Sequence, residues 1–101
     1  MDIVEIADSG EVSMSVGDTV TLRLPENATT GHVWSVSSLG AGLVLEEHQS
    51  VPSRDGAPGA AGEHLFELRA LRSGEWRVDL RLAREWESDA LEERQIIVRV
   101  G

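Results

Sequence analysis

Neither cysteine nor lysine occurs anywhere in this chain of 101 residues. Without thiols there can be no disulfide framework, no thiolate nucleophile and no zinc–thiolate centre, and cysteine usage leaves the compartment open. No stretch approaches the roughly 18 consecutive apolar residues that a membrane-spanning helix needs. No segment of ten or more residues carries a helical pattern either. The start of the chain, Met1-Asp2-Ile3-Val4-Glu5, is acidic and lacks the apolar core of a secretory leader. As written the chain therefore reads as cytoplasmic, or as secreted or periplasmic if a leader has been removed.

All nine cations are arginine, set against 18 acidic residues for a net charge of −9. Nucleic acid is not an expected partner, because it would call for a basic footprint. An acidic surface favours a basic partner or simple solubility, and no membrane association is expected. An apolar fraction of 41% excludes a disordered acidic tail. The length suits one domain, residues 1–101, with a single core and no room for a deep enclosed active site. His32, His48 and His64 fall in separate strands without ligand spacing, so no metal and no cofactor is expected. No nucleophile elbow is present, and the chain is not expected to be an enzyme.

What the chain does have is period-two alternation. Val4 and Ile6 suggest a first strand turned by Ser9-Gly10. Val12, Met14 and Val16 form a second, and Gly17-Asp18 turns it into Val20, Leu22 and Leu24. Residues 32–38 follow, then a turn at Leu39-Gly40-Ala41-Gly42 and a strand from Leu43 to Val51. Phe66, Leu68 and Ala70 alternate with charged residues, and Arg72-Ser73-Gly74 turns the chain back. Trp76, Val78, Leu80 and Leu82 give the clearest alternation, with Trp34 and Trp76 expected in the core. Ile96, Val98 and Val100 close the domain. Ser88–Arg94 has the composition of one helical turn. Many short strands punctuated by turns predict an all-β, immunoglobulin-like antiparallel β-sandwich or small barrel.

Between these strands lie three unusual loops. The first is Asn27-Ala28-Thr29-Thr30-Gly31, where Asn and Gly tolerate positive φ and the threonines offer short hydroxyls. The second, residues 52–62, contains two prolines and repeated Gly and Ala, and cannot be regular. The third, Glu85 to Asp89, places Trp86 among acidic residues, where exposure is expected. If successive strands reverse direction, the loops at 25–31, 52–62 and 84–90 all fall at one end. The plain turns at 39–42 and 72–75 fall at the other.

These loops carry a resemblance. Asn27-Ala28-Thr29-Thr30-Gly31 followed by Trp34 is similar to the Asn-Pro-Thr-Thr-Gly loop of the chagasin family of cysteine-protease inhibitors. Residues 56–66, Gly56-Ala57-Pro58-Gly59-Ala60-Ala61-Gly62 and onward to Phe66, look like that family's Gly-rich central loop. Arg84-Glu85-Trp86 resembles its Arg-Pro-Trp loop. The resemblance implies a monomeric domain that reversibly inhibits papain-like cysteine peptidases. Gly56, Pro58, Gly59, Ala60, Ala61 and Gly62 would enter the catalytic cleft. Asn27 to Gly31 on one side and Arg84, Glu85 and Trp86 on the other would brace its walls. Ala28 and Glu85 depart from the family prolines and give up two fixed φ angles. Glu85 is also placed to compete for Arg84. The alternative is a non-inhibitory immunoglobulin-like interaction domain whose loops bind something else.

Overall fold

The computed structural model describes residues 2–5, 10–26, 31–51 and 62–101. Eight strands follow in order: β1 Asp2–Glu5, β2 Gly10–Met14, β3 Thr19–Glu26, β4 Val33–Leu39, β5 Leu43–Val51, β6 Gly62–Ala70, β7 Gly74–Ala83 and β8 Glu92–Val100. They form two four-stranded sheets, in the orders β1-β3-β6-β5 and β2-β8-β7-β4. Antiparallel pairing dominates, as the alternation predicts, but β1 pairs parallel with β3 and β2 parallel with β8. Strand reversal explains both cases. Partners an odd number of strands apart run antiparallel, while these two pairs are an even number apart.

Inward residues on both sheets repeat every second position, and a slip of one residue would turn them all to solvent. Val20, Leu22 and Leu24 of β3 meet Phe66, Leu68 and Ala70 of β6 on one side of the core. Val78 and Leu80 of β7 with Ile96, Val98 and Val100 of β8 form the other. Trp34 is the largest fully buried side chain, at 1% exposed. Each such aliphatic or aromatic residue contributes about 1.5–3 kcal/mol through removal of apolar area from water.

Four expectations need correction. The second strand ends at Met14, and Val16 is exposed. Asp18 is the cause, since its carboxylate accepts the Ser15 amide at 3.0 Å and its own amide donates to Ser15 O at 2.9 Å. That closes a turn in which Val16 has no strand partner. Gly10 belongs to β2 rather than to a preceding turn, while Ile6 and Ser9 lie outside the described residues. Trp76 is half-buried and sits at the turn end of its sheet, covering Gly40 and Gly42 and donating from Nε1 to Arg72 O at 3.0 Å. Ser88–Arg94 forms no helical turn; bends lead into β8, whose backbone is satisfied by pairing with β7.

Candidate functional site

Register fixes which strand ends lie together. Glu26 pairs with Gly62 and Val51 with Glu63, so β3 and β5 finish where β6 begins. In the other sheet Val33 pairs with Ala83 and Leu82 with Glu92, so β4 and β8 begin where β7 finishes. The strands flanking all three unusual loops therefore converge on one end. The turns cluster at the other, tied by Gly17 N to Ala70 O and Leu71 N to Gly42 O, each 2.8 Å.

At the loop end, Gly31 adopts φ +77°, a region open to glycine at little cost. A side chain there would meet Arg84 Cγ and Nε at 3.9 Å and the Trp86 ring at 4.0 Å. Gly31, beside the first loop, therefore faces the third-loop residues Arg84 and Trp86. Arg84 to Glu87 forms a turn closed by Glu87 N donating to Arg84 O at 3.1 Å, and Arg84 Nη1 pairs with Glu87 Oε1 at 3.0 Å. It is Glu87, not the adjacent Glu85, whose carboxylate is seated against Arg84. Trp86 is 77% exposed, as its polar surroundings predict. A hollow of about 450 Å³ opens beside it, lined by Gly31, Val33, Ala83, Arg84 and Trp86 among others.

Beneath the loops lies a buried polar network. Glu26 and His64 point inward from β3 and β6, in line with Leu24 and Phe66, and are 5% and 2% exposed. His64 Nδ1 lies 2.8 Å from Glu26 Oε2; a carboxylate only accepts, so the imidazole donates. Ser50 Oγ donates to Glu26 Oε1 at 2.6 Å. The Trp34 amide, from the opposite sheet, donates to Glu26 Oε2 at 2.9 Å, and Trp34 Nε1 donates to Pro25 O at 2.8 Å. His48 Nδ1 stands 3.1 Å from His64 Nε2, and both imidazoles lie nearly parallel to Phe66. Burial alone would raise the Glu26 carboxyl. The bonds from Ser50, Trp34 and His64 outweigh it and hold the group below its ordinary value of 4.5. From β8, Arg94 places its guanidinium 5.1 Å from the centre of the Trp34 ring and pairs with Glu92.

The profile of the chagasin family of peptidase inhibitors (I42) matches residues 13–100. The chain belongs to the chagasin family. No curated protein matches it. Among solved structures, the cysteine protease inhibitor EhICP2 of Entamoeba histolytica superposes with TM-score 0.81 at 20% identity, covering 99% of this chain and 96% of that one. Amebosin gives TM-score 0.74 at 22% identity, covering 94% and 99%. PbICP-C, solved in complex with falcipain-2, gives 0.69 at 13% identity, covering 99% and 98%. At these identities the likeness is one of fold.

Of the residues matched to chagasin-family loops, the structure brings Gly31, Arg84 and Trp86 into one surface, with Glu85 exposed in the same turn. Gly62 lies apart from them, opposite Glu26 at the base of the central loop. Asn27, Ala28, Thr29, Thr30, Gly56, Pro58, Gly59, Ala60 and Ala61 lie outside the described residues. The buried network was not anticipated, yet half of it was within reach. Extending the inward positions of β3 and β6 by one step each puts Glu26 and His64 on the core face. His48 and Ser50 were hidden by a register shift between Leu45 and Glu47, which moves even-numbered residues of β5 onto that face.

Proposed function

We propose that this domain is a reversible inhibitor of papain-like cysteine peptidases, which it blocks with the loop end of the sandwich. One observation carries the reading: Gly31 of the first loop lines one hollow with Arg84 and Trp86 of the third, at the end where the strands of the central loop also terminate. Exposed Trp and Arg are the side chains that most often anchor protein interfaces. Holding them in a closed turn between the paired strands β7 and β8 lowers the entropy lost on docking. Asn27, Ala28, Thr29 and Thr30 would complete the wall contacts, and Gly56, Pro58, Gly59, Ala60, Ala61 and Gly62 would enter the cleft, where glycine lets two backbones approach closely. With no thiol available, affinity has to come from buried surface, roughly 1,600 Å² for a complex of standard size. PbICP-C, of similar fold, is itself seen bound to falcipain-2.

Titration of papain tests this directly. Inhibition that reverses on dilution, with the inhibitor intact by mass spectrometry, is the expected result. Cleavage within residues 56–62 at an ordinary substrate rate would identify a substrate instead.

A further inference from the structure

The Glu26 network is placed where a purely structural ion pair has no need to be. It joins the last residue of β3, the second residue of β4, the end of β5 and the start of β6, the four strand ends from which the first and central loops depart. No ladder bond joins β3 to β4, which lie in different sheets, so their ends are tied here by two bonds from Trp34, its amide to the Glu26 carboxylate and its indole to Pro25 O, and only the first of them depends on a charge. Both of its oxygens are engaged and none of its partners is idle.

Its proton chemistry is also constrained. With His64 Nδ1–H committed to Glu26, the His64 Nε2···His48 Nδ1 contact holds one proton between the rings, whichever ring owns it. One further proton can be taken at the outer nitrogen of exposed His48 without breaking a bond. A second must either set N–H against N–H or neutralise Glu26, and each severs a link. Among the described residues, the groups facing the cluster are His48 and Ser50 from β5, His64 from β6 and the Trp34 backbone amide from β4. Across the sandwich, Arg94 of β8 covers the Trp34 ring with Glu92 as its partner.

We propose that Glu26 is a positioning residue for inhibition: through the three bonds its carboxylate accepts, it fixes the spacing of the strand ends that carry the first and central loops, a spacing that holds only while the carboxylate is ionised. This rests on the inhibitory reading above. Glu26 touches no peptidase; it acts through the loops.

The test measures inhibition of papain by the parent, Glu26→Gln and Ser50→Ala between about pH 3 and pH 8, a span that extends below the ordinary carboxylate range. Each result is expressed as a variant-to-parent ratio, so that the peptidase's own pH dependence cancels. At pH 7 each variant is expected to bind about tenfold more weakly, the worth of one charge-assisted hydrogen bond. The ratio should shrink toward one as acid disables the parent's own network. Ser50 lies on the exposed edge strand, so Ser50→Ala tests the point even if Glu26→Gln fails to fold. Ratios near one at every pH, with the parent inhibiting normally, overturn the proposal while leaving the inhibitory function intact. A parent that does not inhibit papain refutes the function itself. The proposal is then decided by nuclear magnetic resonance: the amide signals of Trp34, Val51 and Gly62 should follow one shared titration in the parent. That titration should be lost in Glu26→Gln or, should this variant not fold, in Ser50→Ala. Independent or flat responses overturn it.

Discussion

The Glu26 carboxylate of β3 accepts the backbone amide of Trp34 in β4 at 2.9 Å, joining strands that belong to different sheets. Trp34 also fills the core and donates its indole N–H to Pro25 O, so one residue closes the sandwich at the loop end in three ways. Trp86, at the same end, does none of this and stands in solvent. The two tryptophans should therefore fail differently.

Trp34→Ala should lower stability by about 3–5 kcal/mol, combining a large cavity with the loss of a buried donor. Trp86→Ala should leave the melting temperature almost unchanged and weaken papain binding by about 2 kcal/mol, roughly thirtyfold. Denaturant melts and inhibition constants on the same two preparations check both. Unfolding of Trp86→Ala would place that residue in the core and undo the loop assignment.

The opposite end should show the reverse separation. A Cβ added to Gly42 would stand 2.1 Å from the Trp76 ring, and one on Gly40 would stand 2.7 Å from Trp76 Cβ. Gly42→Ala should cost about 1–3 kcal/mol, because the half-buried ring must leave its seat. Inhibition of papain should be unaffected, since this turn is at the far end from Gly31 and Trp86. A melt combined with a single inhibition titration decides it.

Acid should expose the Glu26 network in folding as well as in binding. The folded carboxyl sits below its ordinary value of 4.5, so its stabilisation is complete above that value and is lost as pH falls through the folded one. Glu26→Gln cannot titrate. Its stability should fall short of the parent's near neutrality, with the two curves converging below pH 4.5. The other carboxylates are common to both proteins and cancel in the difference. Urea melts between about pH 3 and pH 7 measure the gap, and a gap that stays constant throughout would show that Glu26 carries no shifted charge.

Strand order of this kind is not written in alternation, but much else is. The period-two runs in β3, β6, β7 and β8 locate the core faces because each buries one side only. Strand reversal then brings the three loops to one end without any knowledge of which sheet a strand joins. Sheet membership was not legible, since it depends on where β1 and β2 find open edges, next to β3 and β8. Trp76 misled because alternation assigns a face and not a depth; it lies on the inward face at the margin of the sheet. The site divided along the same line. Trp86 was readable from its acidic neighbours, whereas His48 and Ser50 depend on a local register shift that no residue type announces.

Glu85 offers the sharpest test of how the third loop is held. It occupies the second position of the Arg84–Glu87 turn, which is closed by the Glu87 amide on Arg84 O at 3.1 Å. Proline suits that position, because its fixed φ matches the turn and the closing bond does not use the Glu85 amide. Arg84 lies in neither helix nor strand, so the restriction that proline places on the preceding residue can be met. Glu85→Pro should therefore stabilise the fold by about 0.4–1 kcal/mol through the unfolded chain, and should tighten papain binding a few-fold by ordering the loop in advance. The Arg84–Glu87 pair is left in place, so the gain is separable from charge. Glu85→Ala removes the carboxylate but leaves φ free, and should reproduce neither gain in full. If Glu85→Pro raises the melting temperature yet weakens inhibition, the turn is pre-formed as described but Glu85 itself contacts the peptidase. If it lowers both, the turn has to open on docking, and a rigid third loop is the wrong account of this inhibitor.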